Sequence, residues 1–170
     1  MSPAKLTRKF SIINQISQER EMRNFNILSL LLLAVLWTGL LLGISFLATP
    51  VKFLAPSLSL PVALDVGRQT FMVFNWVEVV LALLLVVLTV GTARRWLQAT
   101  VVIIALIVAM QTIWLLPVLD VRVQVILDGS TPPSSSLHMI YIVADALKLT
   151  LLGILAWRIC HLINQSLTIK

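Results

Sequence analysis

Charge is scarce in this chain. Asp, Glu, Lys and Arg make up 12% of its 170 residues, about half of the roughly 25% with which a soluble domain covers its surface. That shortage excludes an ordinary soluble enzyme. Cysteine is rarer still. Cys160 stands alone, so no disulfide can close within the chain, and near the end of an apolar segment it reads as a small buried residue. Polar low-complexity sequence is nearly absent, which argues against disorder. Nucleophile triads, phosphate loops and zinc patterns are missing, so the reading is a non-enzymatic protein with no cofactor. The two histidines, His138 and His161, would sit at opposite ends of one helix, more than about 30 Å apart at 1.5 Å per residue. They cannot share a haem or a metal. His138 beside Met139 is at most a weak copper site, and a hydrogen-bonding interfacial histidine is the plainer reading. A secretory signal is also not expected, because the basic arm running to Arg23 is too long for its n-region and the apolar run behind it too long for its h-region.

What the chain has in abundance is apolar sequence, 59% of its residues. A bilayer core of about 30 Å needs roughly 20 apolar residues per helix, and the charges divide the chain at that scale. Spans are predicted at about residues 27–48, 70–91, 97–117 and 137–157. The expectation is an all-α, polytopic membrane protein, an antiparallel bundle of four transmembrane helices. Residues 1–25 form a basic cytoplasmic arm, 26–163 the transmembrane domain and 164–170 a cytoplasmic tail.

The formal charge of +6 supplies the orientation, since Lys and Arg favour the cytoplasmic side. With both termini inside, that side holds Lys5, Arg8, Lys9, Arg20, Arg23, Arg94, Arg95, Arg158 and Lys170. The outer loops hold only Lys52, Arg68 and Arg122. Both termini are therefore expected in the cytoplasm, in the cell membrane (the inner, plasma membrane in a bacterium). The basic excess obeys this inside rule, so nucleic acid is not an expected partner. In the arm, Leu6, Phe10, Ile13 and Ile16 recur at helical spacing, which predicts an amphipathic helix on the anionic cytoplasmic surface. A charged arm without stable helix satisfies the same charges. Pro50, Pro56 and Pro61 argue against continuous helix in the first outer segment. In the second, Val121, Val123 and Val125 alternate as a strand would, yet Leu119, Val123 and Ile126 fit a helical face, and the favoured reading is that the third helix continues past Pro117.

Ionisable groups within spans are costly and are either paired or functional. Glu78 falls about 12 Å below the outer end of its helix and Asp145 and Lys148 about 12 to 16 Å below theirs, at 1.5 Å per residue. Gln111 has the same depth on the third helix, and Asn75 lies one turn above Glu78. His138, Tyr141, Asp145 and Lys148 share one helix face, as do Phe71, Asn75 and Glu78. Lipid can satisfy none of these polar groups, so both faces turn inward. A polar layer of Asn75, Glu78, Gln111, Tyr141, Asp145 and Lys148 is thus expected in the outer half of the bilayer. Either it is a closed network that sets helix register, or it is the floor of a water-filled cavity for a small solute, a cation or a proton. On the first helix, Gly39 and Gly43 form a small-xxx-small pair that favours close helix packing.

The block Trp37-Thr38-Gly39, Gly43, then Thr49-Pro50-Val51-Lys52-Phe53 and Gly67-Arg68-Gln69-Thr70-Phe71, followed by Asn75 and Glu78, resembles a bacterial four-helix membrane family similar to eukaryotic transmembrane protein 205. Leu116-Pro117-x-Leu119-Asp120-x-Arg122 and His138-x-x-Tyr141 resemble the outer loop and last helix of related bacterial sequences. The likeness covers about residues 36–148 and leaves out the basic arm. It implies a small antiparallel bundle with no established activity. It also puts Pro50, Phe53, Arg68 and Phe71 at the outer mouth, beside His138. Two functions are the expectations: binding or permeation of a small solute through the polar layer, or an accessory subunit without transport. The expected partners are the lipid bilayer and, in the second case, further copies or a larger membrane complex.

Overall fold

The computed structural model describes residues 3–90, 92 and 94–168, and over that range every regular element is helical. Helix α1 (Pro3–Leu41) widens into a π-helical turn, Leu42–Ala48, and closes with the single turn α2 (Thr49–Lys52). Helix α3 (Leu60–Thr89) and helix α4 (Arg95–Met110) come next. A second π-helical turn, Gln111–Leu115, joins α4 to α5 (Leu116–Leu127), and α6 (Leu137–Thr168) completes the chain. Four helical stretches are long and apolar enough to cross a membrane: Phe25–Lys52, Leu60–Thr89, Arg95–Leu127 and Leu137–Gln165.

Prolines explain the local irregularities. Pro50 and Pro117 lack an N–H, and in a regular α-helix their rings would press on the carbonyls four residues back. Each is preceded by a π turn. In the first, the backbone N–H of Thr49 reaches the Ile44 carbonyl five residues back, and Thr49 Oγ1 donates to the same oxygen at 2.8 Å. In the second, the Leu116 N–H reaches Gln111 in the same way. Pro61 was expected to interrupt helix but lies in the first turn of α3, where no N–H is required. The helix therefore starts at Leu60, well before the span predicted from the apolar run. Gly129 ends α5 at φ 82°, the left-handed conformation that releases the Ser130 N–H to the Val125 carbonyl at 3.0 Å.

The core lies between the four long helices. Helix α1 packs on α6 and α3, α4 packs on α3 and α6, and α5 packs on α3. Helices α1 and α4 each bury one stripe at alternating spacings of three and four residues: Leu30, Ala34, Trp37 and Leu41 on α1, and Leu97, Val101, Ile104 and Val108 on α4. On α6 the stripe begins with Tyr141, Asp145 and Lys148 and continues through Leu152, Leu155 and Ile159. Polar and apolar positions thus share one face, and the polar end of the stripe is the end nearest Pro50.

Three expectations need correction or refinement. Cys160 is exposed, because Ile159 takes the buried position and the next residue turns away by 100°. The arm is not a helix separate from the first span, since α1 runs unbroken through residue 25. The side chains of Leu6, Phe10, Ile13 and Ile16 lie outside the described residues. Around Gly39 and Gly43 an added Cβ would meet nothing within 4 Å, so neither glycine serves a close helix approach among the described residues. The third helix does continue past Pro117, to Leu127.

Candidate functional site

Lys148 on α6 is the hub of the polar cluster. It lies within ion-pair distance of two carboxylates, at 2.5 Å from Glu78 Oε1 and 2.9 Å from Asp145 Oδ1. Asp145 precedes it by three residues, so helix geometry alone brings that pair together. Glu78 comes from α3, and the contact ties two helices. All three are buried, with Glu78 and Lys148 at 0% exposure and Asp145 at 1%. Two further helices contribute donors. Trp37 Nε1 of α1 donates to Glu78 Oε1 at 3.0 Å. Gln111 Nε2 donates to Asp145 Oδ1 at 2.9 Å. Beside this cluster, Thr112 Oγ1 donates to Asn75 Oδ1 at 3.0 Å.

Adjacent residues Gln111 and Thr112 serve different partners for a simple reason. Their helix sits between α3 and α6, and consecutive side chains diverge by 100°. One therefore reaches Asp145 on α6, the other Asn75 on α3.

The cluster is formally −1, two acids against one base, and it is not saturated. Glu78 Oε2, Gln111 Oε1 and the Tyr141 hydroxyl are buried without a hydrogen-bond partner among the described residues. Such orphaned groups each cost the desolvation of a polar atom. They mark the places where a proton or a polar solute would gain most.

Directly above, toward Pro50, are two adjoining cavities. One of about 320 Å³ is lined by Lys52, Gly67, Arg68, Phe71 and Asn75 among others. Its neighbour of about 300 Å³ runs from Pro50 and Ser45 to Asp145. Phe53, Phe71, His138 and Tyr141 line both. All the residues expected at the mouth, Pro50, Phe53, Arg68, Phe71 and His138, therefore line this space. Of the expected layer, Asn75, Tyr141 and Asp145 face it, while Glu78, Gln111 and Lys148 lie behind them. Phe71 and Tyr141 meet edge to face with ring centroids 5.0 Å apart. Arg68 is engaged at the rim. Its Nε lies 3.5 Å from Asp65 and 3.4 Å from Asp120, close enough for ion pairing though not aligned as hydrogen bonds, and its Nη1 donates to Gln124 Oε1 at 2.8 Å.

No protein-family model matches the chain, and no curated protein or solved structure does. Function must therefore be argued from the site's own chemistry. Among the described residues there is no group of three or more His, Cys, Asp and Glu side chains placed to hold a metal.

Sequence reasoning missed three contributors. Trp37 is level with the layer by its position, but its donation to Glu78 cannot be read from spacing. Thr112 was hidden beside the more conspicuous Gln111. Lys52 was counted as a loop charge, yet it reaches the cavity wall.

Proposed function

We propose that this chain is a polytopic membrane protein, an antiparallel four-helix bundle, which binds a small solute in the cavity above Lys148 and conducts it or a proton through the polar layer. The observation that carries this reading is continuity. The cavities descend from the exposed His138 to Asp145, which is paired directly with Lys148. The large exposed apolar side chains, among them Leu32, Leu83, Leu106 and Ile113, support immersion in lipid, since a water-soluble monomer rarely exposes such surface. The charge asymmetry supports cytoplasmic termini in the cell membrane and a cavity that opens outward. The resemblance to the bacterial family similar to transmembrane protein 205 accords with this arrangement and adds no activity.

Either acid can be neutralised while Lys148 keeps one carboxylate. In liposomes holding a trapped pH dye, Asp145→Asn and Glu78→Gln should each cut proton or coupled solute flux about tenfold or more. Monodisperse elution of both variants is the folding control. Unchanged flux in both variants, with wild type active, sinks conduction through this layer.

A second reading, an accessory subunit or homo-oligomer, is favoured by the open space around Gly39 and Gly43, a helix face on which another helix could seat. Native mass spectrometry from mild detergent tests it. A persistent monomer would count against it.

A further inference from the structure

The solute reading leaves its chemistry open, and Lys52 narrows it. We infer that the cavity takes an anionic amphiphile, a single acidic group on a compact apolar body, with the acidic group held by the Lys52 ammonium. The inference rests on the cavity being a solute site.

Lys52 ends α2 and its ammonium turns across to α3, 5.1 Å from the Phe53 ring centroid and 5.8 Å from that of Phe71. A lysine that merely snorkels extends toward water. This one is directed onto a ring of the neighbouring helix. The niche it occupies exists because residue 67 is glycine. Gly67 is buried, and a Cβ there would overlap the Lys52 ammonium.

Among the described residues, no carboxylate lies within 4 Å of Lys52 and no acceptor takes any of its donors. Aromatic faces attract the cation, but they leave its three N–H donors unused. The other charged groups around the cavity already have partners. Arg68 is countered by Asp65 and Asp120 at the rim, and Asp145 is held at the deep end by Lys148 and Gln111. Lys52 is the cation left over. The remaining wall is apolar, with Leu64, Met72, Trp76 and Leu116. A cationic solute would meet Lys52 head-on, and a neutral one would leave it unpaired. The volume of about 320 Å³ is at the small end of ligand pockets, which fits one ring or a short chain.

The test uses the full chain in phosphatidylcholine nanodiscs, with fluorine NMR titrations of para-fluorobenzoate, the matching benzyl alcohol and the matching benzylammonium. Empty nanodiscs correct for partitioning. The benzoate should bind about tenfold more tightly than the alcohol, the worth of one charge-assisted contact. Lys52→Met should lower benzoate affinity to that of the alcohol and leave the alcohol unchanged, whereas Lys52→Arg should retain it. Gly67→Ala keeps the charge but forces the ammonium to shift out of its niche, and should weaken benzoate alone. Equal affinities for all three probes, or benzoate binding indifferent to Lys52→Met, overturn the inference while the cavity still binds solutes. If no probe binds, the solute reading falls with it. Repeating the titration with phosphatidylglycerol present separates two sources of the anion. Competition that requires Lys52 identifies a lipid headgroup, and its absence identifies a free solute.

Discussion

Lys148, Glu78 and Asp145 form a triad whose members depend on one another. Each ionised group leaves water at a cost of several kcal/mol, and only close pairing returns it. The hydrogen bonds from Trp37 and Gln111 supply the remainder. Removing the hub should therefore be worse than removing the whole arrangement. Lys148→Met leaves two carboxylates buried together and should destabilise the protein by about 3–5 kcal/mol, read as a lower unfolding temperature in detergent. The triple variant Lys148→Met, Glu78→Gln, Asp145→Asn should recover most of that loss. A single variant that melts with the wild type would show that the triad is not a stabilising unit. Trp37→Phe, which deletes one donor to a charged acceptor, should cost about 1.5–3 kcal/mol. The triad's residues were readable in the sequence because charges inside apolar runs stand out and their depths coincide. The donor from Trp37 was not, since nothing in an apolar run distinguishes an indole that packs from one that also donates.

The π turns set the rotational phase of the helices beyond them. A π turn holds one residue more than an α-helical turn, so every later side chain is rotated by about 100°. Past Gln111–Leu115, that rotation directs Asp120 and Gln124 of α5 toward Arg68 of α3, where they meet it at 3.4 and 2.8 Å. Pro117→Ala removes the reason for the turn. The helix should become regular, with no loss of stability, since proline inside a helix costs about 3 kcal/mol. Asp120 and Gln124 should swing away from Arg68. With Cys160 replaced by serine, Arg68→Cys and Gln124→Cys together should be bridged by a flexible bis-maleimide readily in the parent and poorly in Pro117→Ala. Equal cross-linking in both would mean that packing, not the proline, sets the phase. The four long helices were legible because runs with few or no charges have the length of a bilayer. The π turns were not legible. Pro50 and Pro117 announce an irregularity, but a kink, a break and a widened turn all satisfy a proline. The cavity was beyond reach for the same reason, because its wall depends on how α2 returns toward Gly67.

At the scale of the whole molecule, apolar and charged groups are sorted along the helix axes. The middle of each helix shows lipid-like side chains outward and a narrow buried stripe inward. One end of the bundle holds Arg94, Arg95 and Arg158, the last stacked over the Trp96 ring at 5.2 Å, a cation–π contact joining α6 to α4. The opposite end holds bases balanced by acids, with Arg68 against Asp65 and Asp120. A bilayer reads such a difference by keeping the unbalanced bases in the cytoplasm. The turns at residues 53–59 and 128–136 should then face outward, and the short connection before α4 inward. In a Cys160→Ser background, Ser57→Cys and Ser130→Cys should react with a membrane-impermeant maleimide on intact cells, and Arg94→Cys only after permeabilisation. The reverse pattern would put the cavity and its Lys52 on the cytoplasmic side. The solute would then have to be a cytoplasmic one, and the direction of movement through Asp145 and Lys148 would be outward. Orientation thus decides which compartment supplies the anion, a question that the geometry around Lys52 leaves entirely to the distribution of arginine at the other end of the bundle.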